Sequence, residues 1–73
     1  MTKSDQVKTD FYAQVDQLFL RNPDVLREFD VLWAAAKFRE AYLLVNEAVK
    51  RLSLELPNDF KKADENFYWE FVA

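Results

Sequence analysis

Apolar residues in the first twenty positions of the chain recur with the spacing of one helical face. The members of this stripe, separated by three or four residues, are Val7, Phe11, Val15 and Leu18, with Tyr12 and Phe19 beside them. The pattern predicts a helix from Ser4 to about Leu20. The turn that follows provides Asn22 as a cap and Pro23 as the first residue of a second helix.

Between Pro23 and Pro57 the chain contains no glycine and no further proline, and it is rich in strong helix formers. This composition predicts a long central helix of up to about 30 residues. Its apolar stripe changes direction on the way. The first part consists of Val25, Phe29, Leu32 and Ala36, and the second of Phe38, Tyr42, Val45, Val49, Leu52 and Leu56.

At 100° per residue the two parts of the stripe point roughly 150° apart. Two interpretations follow. Either one straight helix is covered on opposite sides at its two ends, or the helix breaks near Lys37 with a tight turn at residues 37–40.

The last third of the chain fits either a helix or a short hairpin. Pro57 and the two residues after it resemble a helix start, and a helix would place Phe60, Ala63, Phe67 and Phe71 on one face. However, residues 52–56 alternate strictly, and residues 67–72 are rich in strand formers. The orientation of Trp69 distinguishes the two, because only on a strand does it share a face with Phe67 and Phe71.

These patterns predict an all-α fold, a small three- to four-helix bundle with a long central helix, in a single domain of residues 1–73. The alternative is a mostly α-helical domain with a short C-terminal β-hairpin. With 73 residues, of which 51% are hydrophobic and none is cysteine, the chain has a small core without a disulfide. A core of this kind needs efficient helix packing or self-association, so a homodimer is a second possibility.

The residue types that are absent limit the possible chemistry. Without histidine or cysteine the chain cannot form a Ser–His or Cys–His nucleophile or a His/Cys zinc site. Without glycine it cannot form a glycine-rich phosphate loop. We therefore expect no catalytic residues, no metal and no cofactor. Carboxylates one turn apart, such as Asp24 and Glu28, are interpreted as solvated helix surface.

The location of the protein is predicted from its apolar segments. The first residues lack the apolar core of a signal peptide, and the longest apolar run, from Val31 to Ala36, is too short to span a bilayer. We expect a cytoplasmic protein without a membrane partner.

An excess of aromatic residues is the positive functional signal. The chain has 7 Phe, 3 Tyr and 2 Trp, and the four rings between positions 67 and 71 radiate in several directions if that segment is helical. One packing face cannot hold them all. Tyr and Trp are enriched at interface hot spots, so we predict that another protein binds this surface. The predicted contact residues are Tyr68, Trp69, Phe71, Phe38 and Tyr42.

Charge is distributed unevenly along the chain, with a basic middle between acidic ends. The candidate phosphate contacts in this middle are Lys37, Arg39, Lys50 and Arg51. Screening of these cations by the acidic ends within the fold is the favoured interpretation, so nucleic acid is not expected as the main partner.

Two short segments resemble known regulators of transcription. The segment from Leu32 to Leu43, together with Trp69 to Ala73, is similar to small bacterial haemolysin-expression modulators, although Lys37 and Phe38 replace the family's Asp-His. This resemblance implies a protein that modulates transcription by binding a nucleoid-associated protein. The segment from Phe11 to Phe29 resembles the paired amphipathic helix repeats of corepressor scaffolds, which implies peptide binding in a groove.

Overall fold

The computed structural model describes residues 2–73, which form four α-helices and a final π-helical turn. In chain order the elements are α1 (Lys3–Leu18), α2 (Pro23–Ala34), α3 (Phe38–Leu52), α4 (Asn58–Phe67) and the π turn (Tyr68–Val72). Helix α1 packs against α4, α2 packs against α3, and the π turn packs against α3. The all-α prediction is confirmed. The alternative C-terminal hairpin is wrong, because residues 58–72 are helical throughout.

Helix α1 forms much as its apolar pattern predicts. The hydroxyl of Thr2 caps it by accepting a hydrogen bond from the Asp5 N–H at 3.2 Å. The helix buries Val7, Phe11 and Val15. It ends at Leu18 rather than Leu20, and the buried ring of Phe19 then closes the core at the turn. The Asn22 side chain makes no cap hydrogen bond at the start of α2, whereas Pro23 takes the predicted first position.

The prediction of one long central helix is wrong, because the helix ends at Ala34 and resumes only at Phe38. Ala36 adopts the left-handed conformation, with φ of 58°. Its N–H donates to the Trp33 carbonyl at 3.0 Å, and the Lys37 N–H donates to the Leu32 carbonyl at 2.9 Å. This pair of bonds is the Schellman motif that ends many helices. The second interpretation, a break near Lys37, is therefore correct, with the turn at residues 35–37.

The same motif ends α3. Ser53 has φ of 53°, and its N–H donates to the Lys50 carbonyl at 3.3 Å. The Leu54 N–H donates to the Val49 carbonyl at 3.1 Å. Glycine is the usual residue at this left-handed position, since it has no Cβ to clash with the following carbonyl. Both turns form here with alanine or serine instead. The absence of glycine from the chain therefore does not prevent α2 and α3 from ending at these turns.

The buried face of α3 is rotated by about 50° from the predicted stripe, at 100° per residue. The face is centred on Ala41, Val45 and Ala48, all buried. The two alanines let the neighbouring helices approach closely. The larger residues of the predicted stripe, which lie at the edge of the same core and are half-buried, are Phe38, Tyr42, Val49 and Leu56.

A cluster of aromatic rings occupies the centre of the core. Phe11 is its middle member and is stacked on Phe67 with ring centroids 4.2 Å apart and planes 9° apart. Phe11 also has ring neighbours on each of the other helices: Phe29 and Trp33 on α2, Tyr42 on α3, and Phe60 on α4. The predicted face of α4 is confirmed, because Phe60, Ala63 and Phe67 are all buried.

The turn at Ala36 gives a test of this account of the chain reversal. We expect Ala36→Gly to raise the free energy of unfolding by about 0.5–1 kcal/mol, because relief of the left-handed strain exceeds the entropy that glycine adds to the unfolded chain. Ala34→Gly, at a helical position nearby, should lower it by a similar amount. Urea unfolding followed by circular dichroism measures both. Equal destabilisation by the two variants would contradict the left-handed turn.

Candidate protein-interaction surface

Tyr68 and Trp69 are the two exposed aromatic side chains among residues 2–73. The side chain of Trp69 is 69% exposed, and that of Tyr68 is 36% exposed. The other ten of the chain's twelve rings are buried or half-buried. The sequence prediction that some rings near the C-terminal segment lie outside the core is therefore consistent with the structure at these two adjacent positions.

The two exposed rings lie next to the half-buried ring of Tyr42 on α3. The ring centroids of Tyr42 and Tyr68 are 5.6 Å apart, and those of Tyr68 and Trp69 are 5.3 Å apart with planes at 83°. An edge-to-face arrangement of this kind is favourable for aromatic pairs. We call Tyr42, Tyr68 and Trp69 the aromatic surface.

The π turn determines which side chains point outward. Its closing hydrogen bond runs from the Ala73 N–H to the Tyr68 carbonyl at 2.8 Å, five residues back. Because each π turn holds more residues than an α turn, successive side chains rotate by less than 100°. Phe71 and Val72 therefore both pack against the core, and Trp69 lies on the opposite side.

Contacts from the start of α1 anchor the π turn. The Ser4 hydroxyl donates a hydrogen bond to the Glu70 carboxylate. The ammonium group of Lys8 lies 5.5 Å from the ring centroid of Phe38 and 5.9 Å from that of Phe71. These are cation–π distances. The aromatic surface is thus carried by a segment that is attached to both α1 and α3.

The other two predicted contact residues do not belong to the aromatic surface. Phe38 and Phe71 are half-buried, with ring centroids 5.3 Å apart. They line a shallow depression of about 350 Å³ with residues 36–40, and Lys8 covers part of their rings. The structure therefore brings together Tyr42, Tyr68 and Trp69 and leaves this pair at the edge of the core.

A half-buried carboxylate lies behind the aromatic surface. Oδ1 of Asp64 is buried without a hydrogen-bond partner, close to Tyr42 and Asn46 on α3. The Asn46 amide donates instead to the backbone carbonyl of Tyr42 at 2.9 Å. Burial raises the pKa of the Asp64 carboxyl above its ordinary value of 3.8, and the polar groups of Asn46 and Tyr42 offset part of this rise.

The four predicted phosphate contacts are all exposed but do not form one cluster. Lys37 and Arg39 lie at the start of α3, and Lys50 and Arg51 lie at its end. At a rise of 1.5 Å per residue, the two pairs are roughly 16–21 Å apart along the helix. The ammonium of Lys37 also lies 3.9 Å from Glu40.

A groove between α1 and α2 was not predicted from the sequence. It has a volume of about 540 Å³, and its lining includes Tyr12, Ala13, Trp33 and Ala34. The Tyr12 hydroxyl donates to Asp30 at 2.6 Å at the edge of this groove. This hydrogen bond, with burial, raises the pKa of Tyr12. Trp33, which lines this groove, is half-buried and packs against the core rings.

Two further features of residues 2–73 bear on the site. They contain no group of three or more carboxylates arranged to hold a metal ion. None of the helices they form has both the length and the apolar composition needed to cross a bilayer.

Comparison with protein-family models gives no match, and comparisons with curated proteins and with solved structures give no significant match. The two resemblances noted in the sequence therefore remain similarities of short segments.

The division between core and surface rings can be tested by two substitutions. We expect Phe67→Ala to lower the free energy of unfolding by about 3–5 kcal/mol, because it removes the ring stacked on Phe11 and leaves a cavity. Trp69→Ala should change it by less than about 0.5 kcal/mol, since the indole is mostly in water. Urea titration measures both values. A large loss on Trp69→Ala would assign this ring to the core.

Asp64 gives a prediction for the pH dependence of stability. With its pKa raised in the folded state, its stabilising contribution is complete below pH 3.8 and is lost as the pH rises through the folded-state pKa. The free energy of unfolding of Asp64→Asn minus that of the wild type should therefore increase between about pH 3.5 and pH 7. Urea unfolding at several pH values measures the difference. A constant difference over this range would show that burial does not perturb the carboxyl.

Proposed function

We propose that the chain is a non-enzymatic helical protein-interaction module that binds another protein through the aromatic surface of Tyr42, Tyr68 and Trp69. The observation that carries this proposal is the adjacent exposure of Tyr68 and Trp69. The role would be that of a small regulator, inhibitor or assembly factor in the cytoplasm. The absence of histidine, cysteine and glycine supports binding rather than catalysis.

The energetics of the exposed indole support a binding role. Complete burial of a large apolar side chain contributes roughly 1.5–3 kcal/mol, which is a substantial part of the stability of a small domain. Trp69 leaves most of this contribution unused in the free chain, with 69% of its side chain exposed. A partner that covers the indole would recover it on binding. Trp and Tyr are the residues most often found at such hot spots.

The aromatic surface is also held in place before binding. Tyr68 contacts Tyr42. The rings of Phe67 and Phe71, which flank the two exposed residues, have centroids 4.9 Å apart and hold the segment against the core. The Ser4–Glu70 hydrogen bond adds a contact with α1. A preorganised surface loses less conformational entropy on association, which increases affinity.

The two alternative roles have less support. A homodimer through the 38–56 stripe would use residues that pack largely against the chain's own core. A nucleic-acid contact through the four cations would need groups that lie at opposite ends of α3. The aromatic surface does not have either difficulty.

Photo-crosslinking tests the proposal at the surface itself. Benzoylphenylalanine replaces Ala73, an exposed residue next to the π turn, and the full-length protein is irradiated in a lysate of the source cells. We expect a product that unlabelled wild-type protein suppresses by competition and that Trp69→Ala suppresses at least tenfold less well.

Leu20 provides the matched control. It is 73% exposed and lies beyond the end of α1. Because Ser4 contacts the π turn, Leu20 is separated from it by the length of α1, about 24 Å. Leu20→Ala should compete as well as the wild type. Equal competition by Trp69→Ala and Leu20→Ala, or the absence of a competed product, would contradict the proposed function.

A further inference from the structure

We infer that the partner contributes a cationic side chain, arginine or lysine, which the aromatic surface receives against the faces of Tyr68 and Trp69. This inference rests on the proposed function, because it names the chemistry of the partner at that same surface. Aromatic faces carry negative charge density, and Trp binds a cation better than the other aromatic residues.

The molecule already binds one of its own cations at the same end. Lys8 lies within 6 Å of the Phe38 and Phe71 ring centroids, at 5.5 Å and 5.9 Å. Within residues 2–73 these are the cation–π contacts, and Tyr68 and Trp69 take part in neither. Phe38 and Phe71 thus have an internal cation, whereas the exposed rings of Tyr68 and Trp69 have none.

Carboxylates next to the exposed rings also lack an internal cation. Asp64 and Glu65 lie one helical turn before Tyr68 and Trp69, and Glu70 follows directly. The ion pairs within residues 2–73 are Lys8–Asp5 and Lys37–Glu40. The charges of these three carboxylates are therefore unpaired within 4.0 Å, although Glu70 accepts a hydrogen bond from Ser4.

The charge of the whole segment favours the same kind of partner. Residues 55–73 contain five acidic and two basic side chains, a net charge of −3. A negative field beside exposed aromatic faces attracts a basic segment and repels phosphate groups. A nucleic acid or an anionic lipid surface is thus disfavoured at this site. The favoured partner is a protein segment with an arginine or lysine among apolar residues.

Two peptides of matched length provide the first test. One is a fifteen-residue amphipathic helix of leucine, alanine and arginine, and the other has glutamate in place of every arginine. The two tryptophans give separate indole N–H signals in a spectrum of ¹⁵N-labelled protein, with Trp33 in the core cluster as the internal control. We expect the arginine peptide to shift the Trp69 signal with saturation and to bind at least tenfold more tightly than the glutamate peptide. Similar binding by both peptides, or by neither, would overturn the inference.

The second test uses charge-neutralised variants as unlabelled competitors in the crosslinking experiment with the natural partner. The double variant Glu65→Gln with Glu70→Gln retains the acceptor for Ser4 and removes two negative charges. We expect it to compete at least fivefold less well than the wild type at low salt. The control Asp16→Asn with Glu28→Gln, at exposed positions on α1 and α2, has the same net charge and should compete normally.

The two proposals fail in different ways in this experiment. If Trp69→Ala loses competition while the Glu65/Glu70 variant keeps it, a partner binds the aromatic surface without a cation, and only the present inference is wrong. If Trp69→Ala competes like the wild type, the proposed function itself is wrong. Loss of competition by both, with weaker crosslinking as salt is raised from 50 to 300 mM, is the result we expect.

Discussion

The stacked pair of Phe11 and Phe67 is the contact on which the rest of the structure depends. Their centroids are 4.2 Å apart, and Phe11 has further ring neighbours on α2, α3 and α4. This pair joins the first helix to the end of the last one. Because Phe67 is fixed there, the orientation of the π turn that begins at the next residue is fixed as well. The exposure of Trp69 follows from this anchoring, because a helical side chain two residues after Phe67 points away from the face that Phe67 buries.

Much of the fold could be predicted from the sequence, since apolar periodicity reports directly on the buried face of a helix. The stripes of α1 and α4 were found correctly. The sequence did not decide whether the helix breaks between α2 and α3, because the left-handed turn residue is Ala36, whose intrinsic preference favours a helix. The bonds of the Schellman motif offset that preference. How α3 then packs against the other helices depends on tertiary contacts, which a local pattern does not contain. The same limitation led to the wrong rotation of α3, where small alanines rather than large rings face the neighbouring helices.

The candidate site was predictable in part for a similar reason. Four rings within five residues cannot all share one face of a helix, so the sequence indicated that Tyr68 and Trp69 would be available. Phe71 was also predicted as a contact residue, although its helical spacing places it on the face of Phe67, and in the structure it packs against the core. Phe38 is likewise held by a ring contact and by Lys8, which is distant in sequence. Contacts of this kind, like the groove between α1 and α2, depend on how the helices pack.

We propose that the Trp69 indole, which is mostly in water in the free chain, becomes buried when the partner binds. Labelling with 5-fluorotryptophan tests it most directly, since each of the two tryptophans gives one ¹⁹F signal and the shift between H₂O and D₂O measures solvent contact. We expect a large solvent shift for Trp69 in the free protein that disappears when the crosslinking partner is bound, with little change at Trp33. A Trp69 signal that is already shielded from solvent in the free chain, or that keeps its full solvent shift in the complex, would contradict the account.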